Sequence, residues 1–247
     1  WVQEQNQWRL YGPTEGLTPG TVLKIAQDRD DNLWVGTEGG LNRLNGTGLT
    51  AMTVREGLPD NAVQALCEDH EGSLWIGTNG GGLNRFKDGR FTRYTTMEGM
   101  FSNGVFSILE DRHGNFWMGS NQGIHRVRKQ QLNEFAYGNL ARIDATSYGE
   151  ADGMLSTECN GGRYPSALKS RDGRLWFPTL NGVAVVDPEA VSFNPEPPPV
   201  VIESVTLDRD ALDFRHPIAV YPGQAQLEIA YAGLSFIKPE QIRFKYK

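Results

Sequence analysis

Asp69-His-Glu-Gly-Ser-Leu-Trp-Ile-Gly-Thr78 is the stretch whose recurrence decides the fold. It returns as Asp28-Arg-Asp-Asp-Asn-Leu-Trp-Val-Gly-Thr37 and as Asp111-Arg-His-Gly-Asn-Phe-Trp-Met-Gly-Ser120. An altered copy reads Arg171-Asp-Gly-Arg-Leu-Trp-Phe-Pro-Thr179. The tryptophans are Trp34, Trp75, Trp117 and Trp176, so the first three copies lie 41 and 42 residues apart and the last follows after 59. A second marker runs ahead of each: Glu15-Gly-Leu17, Glu56-Gly-Leu58, Glu98-Gly-Met100 and Asp152-Gly-Met154. From marker glycine to tryptophan is 18 residues in three copies and 23 in the fourth, whose unit also carries extra residues before its marker. A fixed period of this length is the sign of a repeat architecture.

The pattern inside one period separates strand from helix. Val63-Gln-Ala-Leu-Cys-Glu68, Leu74-Trp-Ile-Gly-Thr78, Leu83-Asn-Arg-Phe86 and Phe91-Thr-Arg-Tyr94 are short β-rich runs split by Gly, Asp and Asn turns. None carries a 3.6-residue periodicity long enough for a helix. Four strands in a period of about 40–45 residues make a propeller blade. The repeated residues then have mechanical tasks. The Asp of each turn can bond its own turn amides, and the Gly after it takes positive φ. Asp31 holds that place in the first copy and tolerates the conformation better than most residues. The tryptophan can pack between neighbouring blades. Gly36, Gly77 and Gly119 let a neighbour approach closely.

Composition removes several function classes. The chain has 247 residues, 30 acidic and 24 basic, with a net charge of -6 and no basic block. That argues against a protein that tracks nucleic-acid phosphates. No apolar run reaches membrane-spanning length, and no charged-then-apolar leader opens the sequence. The 2 cysteines, Cys67 and Cys159, are too few for a disulfide framework and lack metal-ligand spacing. Cys67 lies in an alternating strand and reads as packing. His70 and His113 occupy corresponding turns, where a tolerant exposed position suffices, and no paired-histidine motif places a metal. No Gly-x-Ser-x-Gly elbow occurs, and Gly80-Gly-Gly82 is not followed by a helix or Lys-[Ser/Thr]. No cofactor is expected.

The Asp-x-x-Gly-x-Leu-Trp-[Ile/Val]-Gly-Thr pattern, with its Gly-Leu-x-Arg and Glu-Gly-Leu followers, resembles the two-component regulator propeller repeat over about residues 1–190. The fourth copy departs: Pro178 replaces the glycine and Gly182-Val-Ala-Val-Val-Asp-Pro188 replaces Gly-Leu-Asn-Arg, as in a last full blade before the exit. The resemblance implies an all-β fold, a partial β-propeller of about four four-stranded blades from a seven-bladed ring. It also implies a periplasmic sensor of a bacterial membrane receptor whose output is a histidine kinase, a hybrid two-component protein or a diguanylate cyclase. Such a receptor would act as a homodimer, with further propeller blades of the parent chain as partners and the catalytic output elsewhere.

Domain limits follow from composition. Residues 1–193 read as blades, 194–199 as the Pro-rich linker Asn194-Pro-Glu-Pro-Pro-Pro199, and 200–247 as a second β domain. There Val200–Leu207, Leu227–Phe236 and Ile242–Tyr246 read as strands. Tyr231, Phe236, Phe244 and Tyr246 resemble the triple-tyrosine Ig-like sandwich that follows such propellers, here as its first half. At the other end, Trp8-Arg-Leu-Tyr11 stands two periods ahead of Phe91-Thr-Arg-Tyr94 and is expected to be a lone outer strand. A partial ring exposes apolar faces, so self-association or instability is expected.

The most irregular stretch is Tyr148-Gly-Glu-Ala-Asp-Gly-Met-Leu-Ser-Thr-Glu-Cys-Asn-Gly-Gly-Arg-Tyr164. Function in repeat folds sits in insertions and loops on one face. Glu158, Asn160 and Arg163 offer planar polar groups, and Tyr148 and Tyr164 offer aromatic surface, a combination suited to a small molecule or oligosaccharide. The competing reading is that the stretch only shapes the modified blade. Leu58-Pro-Asp-Asn61 and Met100-Phe-Ser-Asn103 form a weaker second candidate surface. Two other function classes stay open: a propeller enzyme acting on glycans through unique carboxylates, and a protein-interaction scaffold.

Overall fold

The computed structural model describes residues 2–4, 7–46, 48–161, 165–191, 199–216 and 226–233. The chain divides into two compact units, Trp1–Ala190 and Val191–Lys247.

The first unit is a succession of antiparallel sheets. β1 (Val2–Glu4) pairs with β2 (Gln7–Arg9). The first blade runs β3 (Val22–Gln27), β4 (Leu33–Thr37), β5 (Gly40–Asn45) and β6 (Gly48–Met52), each strand paired with the next. The second runs β7 (Val63–Glu68), β8 (Leu74–Thr78), β9 (Leu83–Lys87) and β10 (Arg90–Tyr94). The third runs β11 (Ser107–Glu110), β12 (Asn115–Ser120), β13 (Gly123–Arg128) and β14 (Thr146–Tyr148), with helix α1 (Lys129–Ala136) between the last two. The fourth shows three strands among the described residues: β15 (Leu168–Lys169), β16 (Leu175–Thr179) and β17 (Gly182–Val186). The chain therefore builds the partial propeller that its repeat implies.

Two details differ from the sequence expectation. The strand at Trp8 is not alone, because Val2–Glu4 pairs with Gln7–Arg9 in the same antiparallel manner as β9 with β10. The extra residues ahead of the fourth marker are helical and belong to the third blade. Leu132 of α1 is fully buried, and its carbonyl accepts the Tyr94 hydroxyl at 3.1 Å. Eight residues of helix survive because this face joins the apolar contact between the second and third blades.

Each repeated residue has a visible mechanical reason. In the second blade, Asp69 Oδ1 accepts the amides of Glu71 and Ser73 at 2.8 and 3.0 Å, while Oδ2 accepts the Trp75 indole N–H at 2.7 Å. The same carboxylate-to-indole bond joins Asp28 to Trp34 at 2.8 Å and Asp111 to Trp117 at 2.7 Å. In the fourth blade Ser170 Oγ stands in for the carboxylate, at 3.0 Å from Trp176 Nε1. Burial pushes the Asp69 carboxyl upward, but the indole and amide donors more than offset it and hold the group below its ordinary value. Asp31 takes positive φ, 62°, where its counterpart Gly72 has 76°.

The tryptophan reaches across to the next blade. Trp34 meets Phe86 edge-on at 5.8 Å, and Trp75 meets Phe116 edge-on at 4.9 Å. Arg43, Arg85 and Arg126, the arginines of the repeat, lie over Trp34, Trp75 and Trp117 in turn. Gly77 must be glycine because a Cβ there would stand 2.4 Å from the Val105 carbonyl of the next blade. Gly36 is pressed in the same way by Val63.

In the second unit, β18 (Val200–Leu207) pairs with β19 (Asp210–Ala211) and β20 (Leu227–Gly233) in a three-stranded sheet. The strand expected at Val200–Leu207 is present, and that expected from Leu227 extends through Gly233. Ile242–Tyr246, and with it most of the triple-tyrosine pattern, lies outside the described residues.

Candidate functional site

The irregular stretch begins at the outer edge of the third blade, and its described part runs to Gly161. Tyr148 closes β14, with its ring stacked on Trp117 at 5.3 Å and the Arg126 guanidinium 6.0 Å from its centroid. Burial raises its phenol pKa. Its aromatic face is thus engaged in packing the third blade. The chain then makes a short turn, Glu150–Asp152, in which Asp152 Oδ2 accepts the Gly149 amide at 2.9 Å. This is the marker turn of the other blades, where Glu56 holds Thr53 and Glu98 holds Thr95.

Glu158-Cys-Asn160 opens the fourth blade. The Cys159 amide donates to the Ser120 carbonyl of the third blade at 3.0 Å, and the Asn160 amide donates to Pro178 of its own blade at 2.9 Å. One blade earlier, Val105 donates to Thr78 and Phe106 to Gly119 at the same two distances within 0.1 Å. Cys159 is therefore the counterpart of Val105, buried at the seam between blades. Burial pushes its thiol up to about 11, as it does that of Cys67, and both cysteines are free. Such thiols stay protonated and unreactive near neutral pH.

Glu158 and Asn160 flank this seam residue. Glu158 is exposed and Asn160 half-buried, and no side-chain hydrogen bond or ion pair engages either among the described residues. Beneath them, Phe106 lies flat against Gly161, where a Cβ would sit 2.8 Å from the ring. The structure thus brings Glu158 and Asn160 together at the start of an innermost strand and gives Tyr148 a packing task. Arg163 and Tyr164 lie outside the described residues. A carboxylate and an amide can orient a hydroxyl-rich or amine-bearing ligand. They provide no nucleophile–base pair.

The second candidate surface is occupied by its own architecture. Asn61 Oδ1 accepts the Val54 amide and Asn103 Oδ1 accepts the Thr96 amide, both at 2.9 Å. Asp60 Oδ2 accepts the amides of Gly80 and Gly81. His70 and His113 also do more than occupy turns: each meets a group beyond its own turn, His70 at Lys129 Nζ and His113 at Glu189.

Sequence reasoning passed over one position. Asn42, Asn84 and His125 are counterparts on the third strand of each blade. Asn42 is satisfied by Thr18, through a bond of 2.9 Å from the Thr18 amide and another to its hydroxyl. Pro59 and Phe101 replace Thr18 in the next two blades. Accordingly Asn84 Oδ1 and both ring nitrogens of His125 are buried without a partner among the described residues. Phe101 instead offers its ring, 6.1 Å from the imidazole. Burial drives the His125 pKa down to about 4. The signal was available in the sequence, as the loss of threonine after the marker.

Comparison with known families bears directly on the repeat. The two-component regulator propeller family matches residues 16–39, 57–80 and 99–122. These three segments are two-component regulator propeller repeats. No curated protein matches the chain. Among solved structures, the chain superposes on the extracellular domain of a protein assigned as a hybrid two-component system of B. thetaiotaomicron. That match has a TM-score of 0.65 at 21% identity, over 91% of this chain and 28% of that one. A second extracellular domain of the same assignment and organism matches with a TM-score of 0.58 at 17% identity, over 87% of this chain and 31% of that one. At these identities the likeness concerns the fold, and the chain spans under a third of the length of either structure. No helix among the described residues is long and apolar enough to cross a membrane.

Proposed function

We propose that this chain is a non-catalytic sensor segment of a bacterial two-component signalling receptor, working in the periplasm as part of an inner-membrane receptor. Three regulator-propeller repeats in succession carry the reading, and the extracellular domains that share the fold support it. The ligand is a small polar molecule or an oligosaccharide, held at the start of the fourth blade by Glu158 and Asn160 together with Arg163 and Tyr164. The unengaged side chains of Glu158 and Asn160 support that placement, since a pre-formed site needs polar groups free to pair with ligand. The second unit is the beginning of an Ig-like relay, and a histidine kinase or diguanylate cyclase beyond this chain gives the output. The receptor works as a homodimer. Signal passes only if ligand favours one arrangement of the receptor over another, because equal affinity for both shifts nothing.

The test is a ligand screen on the chain, reading the thermal midpoint against small polar metabolites and oligosaccharides. A hit should raise the midpoint, and Glu158→Gln or Asn160→Ala should remove the shift while leaving the unliganded midpoint in place. A hit unaffected by both substitutions would move the site elsewhere. Product release from a bound glycan would overturn the non-catalytic reading.

A further inference from the structure

At the rims of the first two seams between blades, the residue after the turn Asp reaches toward a carboxylate that ends the first strand of the next blade. Arg29 Nε lies 2.9 Å from Glu68, and His70 reaches Glu110 through Lys129, with Lys129 Nζ 3.0 Å from the ring and 2.6 Å from the carboxylate. The third seam departs from this pattern. Lys169 ends the first strand of the fourth blade and stands where Glu68 and Glu110 stand, each opposite the residue before the blade's tryptophan. Its ammonium turns back to the Glu110 carbonyl at 2.8 Å. Arg112 still keeps the place of Arg29. Its guanidinium lies over Gly173, 3.7 Å from where a Cβ would stand, as that of Arg29 lies over Gly72 at 3.8 Å.

The carboxylate that Arg112 meets comes from further along the chain. Glu189 lies beyond β17, in the turn Asp187-Pro-Glu-Ala190 that ends the first unit. Its Oε1 accepts the Arg112 Nε–H at 2.6 Å and lies 2.7 Å from His113 Nε2. The turn is shaped to present it. Pro188 is buried, Asp187 Oδ1 accepts the Glu189 amide at 3.0 Å, and the Asp187 carbonyl accepts the Ala190 amide at 3.1 Å. The first two rims are thus closed by groups within the blades, and the third by the segment through which the chain leaves them.

We propose that Asp187–Ala190 is a releasable strap, which closes the rim of the third seam and so ties the chain's exit from the first unit to the packing of the fourth blade on the third. The displaced carboxylate is what couples the two. With a carboxylate at position 169 the seam would close without the exit taking part. Arg112, His113 and Glu189 are all largely exposed, so water and salt screen the contact and keep it weak enough to open. Cys159 and Lys169 pair with opposite ends of β16, at Thr179 and Leu175, so Glu158 and Asn160 lie at the far end of the same seam. A part for the strap in relaying ligand binding rests on the sensor reading above; the strap itself does not.

Hydrogen exchange of the whole chain tests this, read at the amides of residues 159, 189 and 190 at low and high salt and corrected for intrinsic rates. Glu189→Gln should speed exchange at 189 and 190 by about two- to fivefold at low salt. High salt should do the same to the unaltered chain and add little in the variant. The Cys159 amide, which donates to Ser120 across the seam, should quicken with them. The deciding variant adds Lys169→Glu to Glu189→Gln. It offers Arg112 a carboxylate on the strand, so the Cys159 amide should return to its original rate while 189 and 190 stay fast. Lys169 and Glu189 are both exposed, and circular dichroism with a melting curve confirms that each variant folds. Strap amides indifferent to both Glu189→Gln and salt would overturn the proposal. So would a Cys159 amide that ignores Glu189→Gln, since the exit would then be uncoupled from the seam. Slowing of all three amides by Lys169→Glu would also overturn it, because strap exchange would then report only the stability of the blade. A ligand screen without a hit would count against the sensor reading and leave these rates as they are.

Discussion

The Asp69 carboxylate accepts the indole N–H of Trp75 at 2.7 Å across one hairpin turn. A single side chain thereby closes the turn through Oδ1 and aims the largest buried ring of the blade through Oδ2. Asp69→Ala removes an ionised acceptor from three donors. We expect a loss of about 2–3 kcal/mol in urea unfolding. Ser170→Ala, at an exposed and uncharged version of the same bond, should cost under about 1 kcal/mol. Equal losses would refute the special weight of the carboxylate.

Gly77 tests the seam between the second and third blades. A methyl group there meets the Val105 carbonyl at 2.4 Å, so Gly77→Ala should destabilise by about 1–3 kcal/mol. At Gly46 a Cβ would meet no heavy atom within 4 Å, and Gly46→Ala should be nearly neutral. Thermal denaturation of the two variants side by side distinguishes crowding from the loss of glycine as such.

His125 gives the protein a defined acid sensitivity. Its imidazole has a pKa of about 4 in the fold against 6.5 when exposed. Between those values the unfolded chain binds a proton that the folded chain refuses, so stability falls as pH drops from 6.5 toward 4. The difference amounts to about 3 kcal/mol. The lowered carboxyls of Asp69 and Asp111 add their own losses only at more acidic pH, as they protonate. His125→Leu should flatten the stability profile between pH 6.5 and 4, without loss at neutral pH, because it also removes two unpartnered polar atoms. An unchanged pH profile in that variant would place the titration elsewhere.

The two rim bridges differ in burial and should differ in cost. Lys129 is almost completely enclosed between Glu110 and His70, with Phe116 beneath its ammonium. Lys129→Ala should cost up to about 3 kcal/mol, since Glu110 loses its buried cation. Arg29 is largely exposed, so Arg29→Ala should cost under about 1 kcal/mol and lose even that in high salt. Chemical denaturation at low and high ionic strength reads both.

The candidate site was legible only as a stretch of chain. Irregular spacing drew attention to residues 148–164, but composition could not divide them by task. Tyr148 is engaged by Trp117 across the blade, and Cys159 is a seam residue equivalent to Val105. What is left unengaged at Glu158 and Asn160 is a remainder, visible only after the packing of its neighbours is known. The histidine at position 125 was overlooked for the same reason, because its isolation depends on Phe101 standing where Thr18 stands in the first blade.

The sequence by itself determined the blade. Turn, tryptophan, glycine and marker recur at fixed spacing, and each acts on residues a few places away, so local chemistry is enough to define strands and hairpins. Only the tertiary structure decided which face of each strand meets a neighbour. Alternation with period two assigns side chains to opposite faces, yet it does not say which face is covered. Trp75 and Trp176 stand in nearly the same motif, but Trp75 is fully buried against Phe116 of the next blade, whereas Trp176 is 36% exposed among the described residues.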